Sequence, residues 1–174
     1  MRSARILLLA TAILGAAAGG LTYRATQHDR SLNEAAAELM RVQLPDASGK
    51  NQRLAQWRDR VLVINFWATW CEPCREEIPV LIRVQAKYAL NDVQIVGISV
   101  DSAAKVRKFA SEYRIAYPLL IGGLDAIDLT RRLGNNAGGL PFTVVLDRGG
   151  KVVKTRLGAI SEAELEIALQ AVAG

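Results

Sequence analysis

The chain has 174 residues, 51% of them hydrophobic and 22% charged, with a net charge of +5 at pH 7. That length suffices for one globular domain with a buried core plus a tail, and two cysteines are too few for a disulfide framework. The 22 lysines and arginines are scattered rather than packed into a basic stripe with interleaved aromatics, which speaks against a nucleic-acid partner and for a solvated basic surface with some preference for acidic partners or anionic lipid.

Arg2 and Arg5 precede Ile6–Tyr23, an 18-residue stretch without a charge that Arg24 ends. As a helix it would cover about 27 Å, close to a bilayer's hydrocarbon thickness. The leading arginines would hold the N-terminus in the cytoplasm and send the rest across. Residues 1–23 therefore read as a signal-anchor or transmembrane segment. Cleavage at the small residues Ala16-Ala17-Ala18 is the competing reading, and both place the remainder outside the cytoplasm. Residues 24–40, polar and then Ala- and Glu-rich, read as a linker or short helix, and residues 41–174 as the domain.

Within the domain, Val61–Trp67 and Val93–Val100 are continuous apolar runs of the kind that form strands buried on both faces. Between them, Pro73–Tyr88 carries Ile78, Leu81, Ile82 and Val84 near helical spacing, with Pro79 expected to kink the helix. Ser102 is placed to cap a helix to about Tyr113, Tyr117–Ile121 reads as a short strand, and Asp125–Leu133 as a helix. Phe142–Asp147 and Lys151–Gly158 flank Arg148-Gly149-Gly150, a hairpin signal. Ser161 and Glu164 make the capping box of a last helix to about Val172. The order predicts an α/β fold with a central mixed sheet flanked by helices.

Both cysteines lie in the stretch INFWATWCEPCREEIP, two residues apart. Cys71 follows a buried strand where the next helix begins, so unpaired backbone N–H groups and the helix dipole favour its thiolate. Pro73 falls in the first turn, where a missing N–H costs nothing. Cys74, three residues on, lies on the same face and is less exposed. One sulfur is presented as a nucleophile and the other is held behind it to resolve a mixed disulfide. A structural zinc site would need about four ligands, and the chain offers one C-x-x-C and His28 far upstream, so no metal is expected. A two-thiolate Cu(I) site stays open as a minor reading. Covalent haem at the motif is excluded, because Arg75 and not histidine follows Cys74.

FWATWCEPC resembles the active-site segment of the thioredoxin superfamily, and the chain from Val42 onward is similar to its membrane-anchored extracytoplasmic branch, the TlpA/ResA-like thiol-disulfide oxidoreductases. The lead-in LAQWRDRVLVINFW, the in-helix Pro79, the stretch from Val93 to Gly123 matching that branch's extra helix-strand insertion, and GLPFTVVLD all carry the resemblance. It implies a thioredoxin-like fold, Cys71 as attacking thiol and Cys74 as resolving thiol. It implies a cis Leu140-Pro141 bond with Leu140's backbone available to a client peptide, and Trp70 shaping the docking surface. Where cytoplasmic thioredoxins carry a buried aspartate this chain has Asn65, which cannot take a proton. Glu77 resembles the acid the anchored branch uses near the site. Partly desolvated, it would have a raised pKa and could shuttle the resolving thiol's proton, with Glu76 left as surface.

Glu72 and Pro73 tune the pair: the acid opposes ionisation of Cys71, and no histidine or lysine lies between the cysteines to stabilise a reduced thiolate. The chain therefore reads as a monomeric protein-disulfide reductase without a cofactor, on the periplasmic face of a bacterial inner membrane or free in the periplasm if the segment is cleaved. The resemblance implies a membrane thiol-disulfide carrier as electron donor, and apocytochrome c or copper-delivery proteins with Cys pairs as clients. A disulfide donor, a peroxiredoxin-type peroxidase and a Cu(I)-binding carrier are the alternatives.

Overall fold

The computed structural model describes residues 22–23 and 26–172. The expected anchor lies outside the described residues except at Thr22 and Tyr23, and no helix among the described residues is long and apolar enough to cross a membrane. Residues 26–39 form helix α1, whose end buries Ala36 and Leu39 with Met40 just beyond it. The segment read as a linker or short helix thus packs on the core. A two-stranded hairpin, β1 (Gln43–Pro45) and β2 (Asn51–Arg53), and a single 3-10 turn (Leu54–Trp57) follow, none of which the sequence reading had specified.

The remaining elements alternate: β3 (Val61–Trp67), α2 (Glu72–Tyr88), β4 (Val93–Ser99), α3 (Ala103–Tyr113), β5 (Leu119–Ile121), α4 (Asp125–Arg132), β6 (Phe142–Leu146), β7 (Val152–Leu157) and α5 (Glu162–Gln170). The five-stranded sheet has the order β5-β4-β3-β6-β7. β3, β4 and β5 are parallel neighbours, while β6 is antiparallel to both β3 and β7. This is the α/β mixed sheet the pattern implied, with α3 and β5 as the extra helix and edge strand.

The two-residue period of a strand explains why β3 reads as one unbroken apolar run. Val61, Val63 and Trp67 face one core with Ile78, Leu81 and Val84 of α2 and Leu165 and Leu169 of α5. Leu62, Ile64 and Phe66 face the other, with Leu39 of α1 and Ala126 of α4. Each fully buried Leu, Ile or Val contributes roughly 1.5–3 kcal/mol. The same alternation puts Asn65 on the α2 side, where it is fully buried. On β6, Val145 faces that side while Val144 and Leu146 face the other, which puts Thr143 beside Asn65.

Several local expectations change in detail. Ser102 stands at the N-cap of α3 but its hydroxyl makes no capping bond, while Ser99 Oγ accepts from the Asp101 N–H. The strand expected from Tyr117 begins at Leu119, because the Pro118 carbonyl accepts from Gly97 only at the edge of the pairing and Pro118 has no N–H to give. Half of the Ser161/Glu164 box forms: Ser161 Oγ accepts from the Glu164 N–H, but the Glu164 carboxylate is drawn to Lys154 at 2.8 Å and Arg156 at 3.8 Å instead. The β6–β7 turn closes through Gly150 N–H to Asp147 O, and Gly150 takes φ +80°, a conformation L side chains resist.

Candidate active site

Cys71 is the N-cap of α2, in extended conformation, and its sulfur accepts from the Cys74 N–H at 3.3 Å. A sulfur here occupies the place that Ser or Asp usually takes at a helix start. Pro73 lies in the first turn as expected, and Glu72 sits beside it on the exposed side. The two cysteines form a disulfide. Cys71 retains 6% of its accessible surface and Cys74 none, so the sulfurs differ in access as the spacing implied.

The turn that delivers Cys71 is pinned from β4. Asp101, nearly buried, accepts from the Thr69 N–H at 2.6 Å through Oδ2, and the Val100 N–H donates to Trp67 O. Nothing local in the sequence marked Asp101, since its partner is 32 residues away. Beneath the turn, Trp67 packs on Phe109, which stacks on Tyr113 with centroids 4.1 Å apart. Arg75 donates to the Tyr113 hydroxyl from the helix start.

An open groove of about 600 Å³ runs beside the disulfide. Trp70, Cys71, Glu72 and Pro73 form one wall, Leu124 and Ile127 of the α4 region another, and Gly138, Gly139 and Leu140 the third. Trp70 is 67% exposed and Leu124 79%, and both border this one groove, giving it an open apolar lining. The Leu140-Pro141 peptide is cis, and the Pro141 carbonyl accepts from the Gly158 N–H. Leu140 lines the groove, while Pro141 itself is buried beside it.

The glycine wall is held by a residue the sequence reading missed. The buried Asn135 amide clamps Gly139 from both sides, donating to its carbonyl at 2.8 Å and accepting from its N–H at 3.2 Å, while also donating to Thr130 Oγ1. A side-chain amide three residues ahead of a Gly-Gly pair is the local signal that could have found it.

Behind the disulfide lies a small polar cluster in an otherwise apolar core. Glu77, one turn beyond Cys74 on α2, is 1% exposed, whereas Glu76 is on the surface. Its Oε1 accepts from Asn65 Nδ2 at 2.6 Å and its Oε2 from the Ile160 N–H at 3.0 Å. Asn65 Nδ2 also donates to Thr143 Oγ1 at 3.0 Å. Burial outweighs these donors and pushes the Glu77 pKa up to about 7. Tyr117 is raised as well, by burial first and by the Glu77 charge second. A carboxyl poised near neutral pH one turn from a buried sulfur can accept or return a proton there. The sequence reading placed Asn65 and Glu77 separately; Thr143 and the Ile160 N–H join them only in three dimensions.

The chain is similar to known proteins over most of its length. The family model described as Redoxin matches residues 33–171. A thiol-disulfide oxidoreductase ResA of Bacillus cereus is 30% identical over 161 residues, spanning 91% of this chain and 90% of the relative. The thioredoxin-like protein YneN of Bacillus subtilis is 33% identical over 129 residues, 71% of each chain. Among solved structures, a thiol:disulfide interchange protein of Chlorobium tepidum superposes with a TM-score of 0.68 at 28% identity, covering 76% of this chain and 93% of its own.

Proposed function

We propose that this chain, which belongs to the redoxin family as a thiol-disulfide oxidoreductase of the ResA type, is a reductant of protein disulfides working outside the cytoplasm. The observation that carries the exchange chemistry is the buried Glu77 carboxyl one turn from the buried sulfur of Cys74, while the direction rests on Glu72. In the forward direction the Cys71 thiolate attacks one sulfur of a client disulfide in the groove. A mixed disulfide forms and the client's other sulfur leaves as a thiolate. Glu77 takes the Cys74 proton, and the Cys74 thiolate attacks Cys71, expelling the client's remaining sulfur. The client gains two electrons and the Cys71–Cys74 disulfide closes. Leu140's backbone and Trp70 hold the client segment during both displacements.

Glu72 supports the direction, because an acid between the cysteines disfavours the thiolate form that strong oxidants stabilise. Electrons come from a membrane thiol-disulfide carrier, with the chain held near it by its N-terminal apolar segment. The clients are proteins presenting a Cys pair, such as the C-x-x-C-H segment of an apocytochrome c or a copper-delivery protein. Equilibration of the purified chain against glutathione or dithiothreitol buffers tests the direction. A reduction potential near roughly −270 mV fits a reductant, and one near roughly −120 mV overturns this reading in favour of a disulfide donor.

A further inference from the structure

The fold gathers charge that the sequence scatters. Arg41 follows α1, Arg53 ends β2, Arg58 and Arg60 lead into β3, and Arg148 sits in the β6–β7 turn. Together they ring two adjoining concavities at the end of the sheet opposite Cys71. The larger, about 360 Å³, places Arg41, Arg58, Arg60 and Arg148 around an apolar floor that includes Met40, Leu62 and the half-buried Trp57.

What separates four of these five from most other arginines is the lack of a side-chain hydrogen bond or ion pair; Arg148 reaches the Val172 carbonyl. Arg30, Arg83, Arg131, Arg132 and Arg156 reach carboxylates, Arg75 reaches Tyr113, and Arg107 and Arg148 reach carbonyls. Among the described residues only Arg41, Arg53, Arg58, Arg60 and Arg114 make no side-chain hydrogen bond or ion pair, and all but Arg114 line these two concavities. Asp59 and Asp147 also border the larger one. Asp147 Oδ1 is engaged by the Lys151 N–H of its own turn, and neither acid pairs with the arginines.

Four guanidinium groups face two carboxylates around the larger concavity, and Arg41 also feels Glu38, so an excess of positive charge remains that an anion relieves. Their planar forks match a phosphate's oxygens two at a time. The volume exceeds that of a bare ion, and the indole and methionine offer contact to an apolar moiety. We propose that this concavity binds a phosphate group carried on an apolar body, at the pole of the domain opposite the disulfide. The ligand is either a soluble phosphomonoester or the headgroup of an anionic phospholipid.

The test follows tryptophan fluorescence of the full chain in non-ionic detergent micelles. Phenyl phosphate is titrated in one arm, and phosphatidylglycerol or phosphatidylcholine is doped into the micelles in the other. Saturable binding of phenyl phosphate identifies the soluble source, and saturable binding of phosphatidylglycerol but not phosphatidylcholine identifies the lipid. In either case Arg58→Ser combined with Arg60→Ser weakens binding at least tenfold, while Arg114→Ser leaves it unchanged. Both variants should reduce a disulfide substrate at the parent rate, which confirms that they are folded. No saturable binding in either arm, equal response to the two lipids, or equal weakening by Arg114→Ser overturns the proposal.

Discussion

Replacing Glu77 by Gln keeps the shape and one of the two acceptor oxygens that receive Asn65 Nδ2 and the Ile160 N–H, while removing the titration. Burial moves the carboxyl from its ordinary value near 4.5 to about 7. At about 1.4 kcal/mol per pKa unit, the ionised form is disfavoured in the folded chain by about 3 kcal/mol. The folded state therefore holds the Glu77 proton over a pH range where the unfolded chain has released it. By linkage, stability is unaffected by this group below about pH 4.5, falls as pH rises toward 7, and levels off beyond. Glu38, Asp46 and Glu164 are instead held low by their hydrogen-bond partners, so they titrate beneath this window. Guanidinium unfolding of the oxidised chain at a series of pH values from 4.5 to 8 should show a loss of about 3 kcal/mol in the parent and little in Glu77→Gln. Reduction of a client disulfide should also slow by roughly 100-fold or more in the variant at pH 7, within the usual range for a lost general base. Parallel stability curves for the two chains would refute the reasoning, because they would mean that Glu77 is no more perturbed in the fold than in the unfolded chain.

Cys71→Ser should abolish turnover, while Cys74→Ser should still attack and then accumulate a mixed disulfide with the client, visible on a non-reducing gel. If Cys74→Ser turned over normally, the assignment of the two sulfurs would be wrong. Asn135→Ala removes both hydrogen bonds that clamp Gly139 and should cost about 1–3 kcal/mol in thermal or denaturant unfolding. It should also raise KM for a protein client more than it lowers kcat, since the glycine wall of the groove is freed while the sulfurs stay in place. An unchanged KM would show that this wall takes no part in client docking.

What was legible in the sequence was what local period and spacing encode. The unbroken run of β3, the helical stripe of α2 and the hairpin around Gly149-Gly150 all follow from neighbours along the chain, and the structure places them within a residue or two. Glu77 is singled out over Glu76 by its resemblance to the acid of the anchored branch, and its place three residues from Cys74, nearly one helical turn, proves to lie on the buried face. The rest depends on partners far apart in sequence. Asp101 matters through Thr69, Asn65 through Thr143 at a separation of 78 residues, and Glu77 through Ile160 at 83. No local pattern specifies such pairings. The α1 helix shows the same limit: its alanines read as a linker or short helix, and only the apolar partners of the second core explain why Ala36 and Leu39 are buried.

The direction of electron flow rests on a different residue from the one that moves the proton. In the proposed mechanism Glu77 would, by microscopic reversibility, serve the Cys74 proton equally in both directions and so set speed and not poise. Poise depends on how much better the protein holds a Cys71 thiolate than a disulfide. The helix start favours that thiolate, and Glu72, in the first turn and on the groove wall, opposes it. At a separation of a few ångströms in a solvated setting the repulsion is about 1 kcal/mol. With about 1.4 kcal/mol corresponding to 30 mV for a two-electron couple, Glu72→Gln should raise the reduction potential by up to about 20 mV. The same change should lower the Cys71 pKa, measurable by the pH dependence of its alkylation. A potential that fell, or a Cys71 pKa that rose, would show that Glu72 stabilises the reduced form, and the charge argument for a reductant would have to be abandoned.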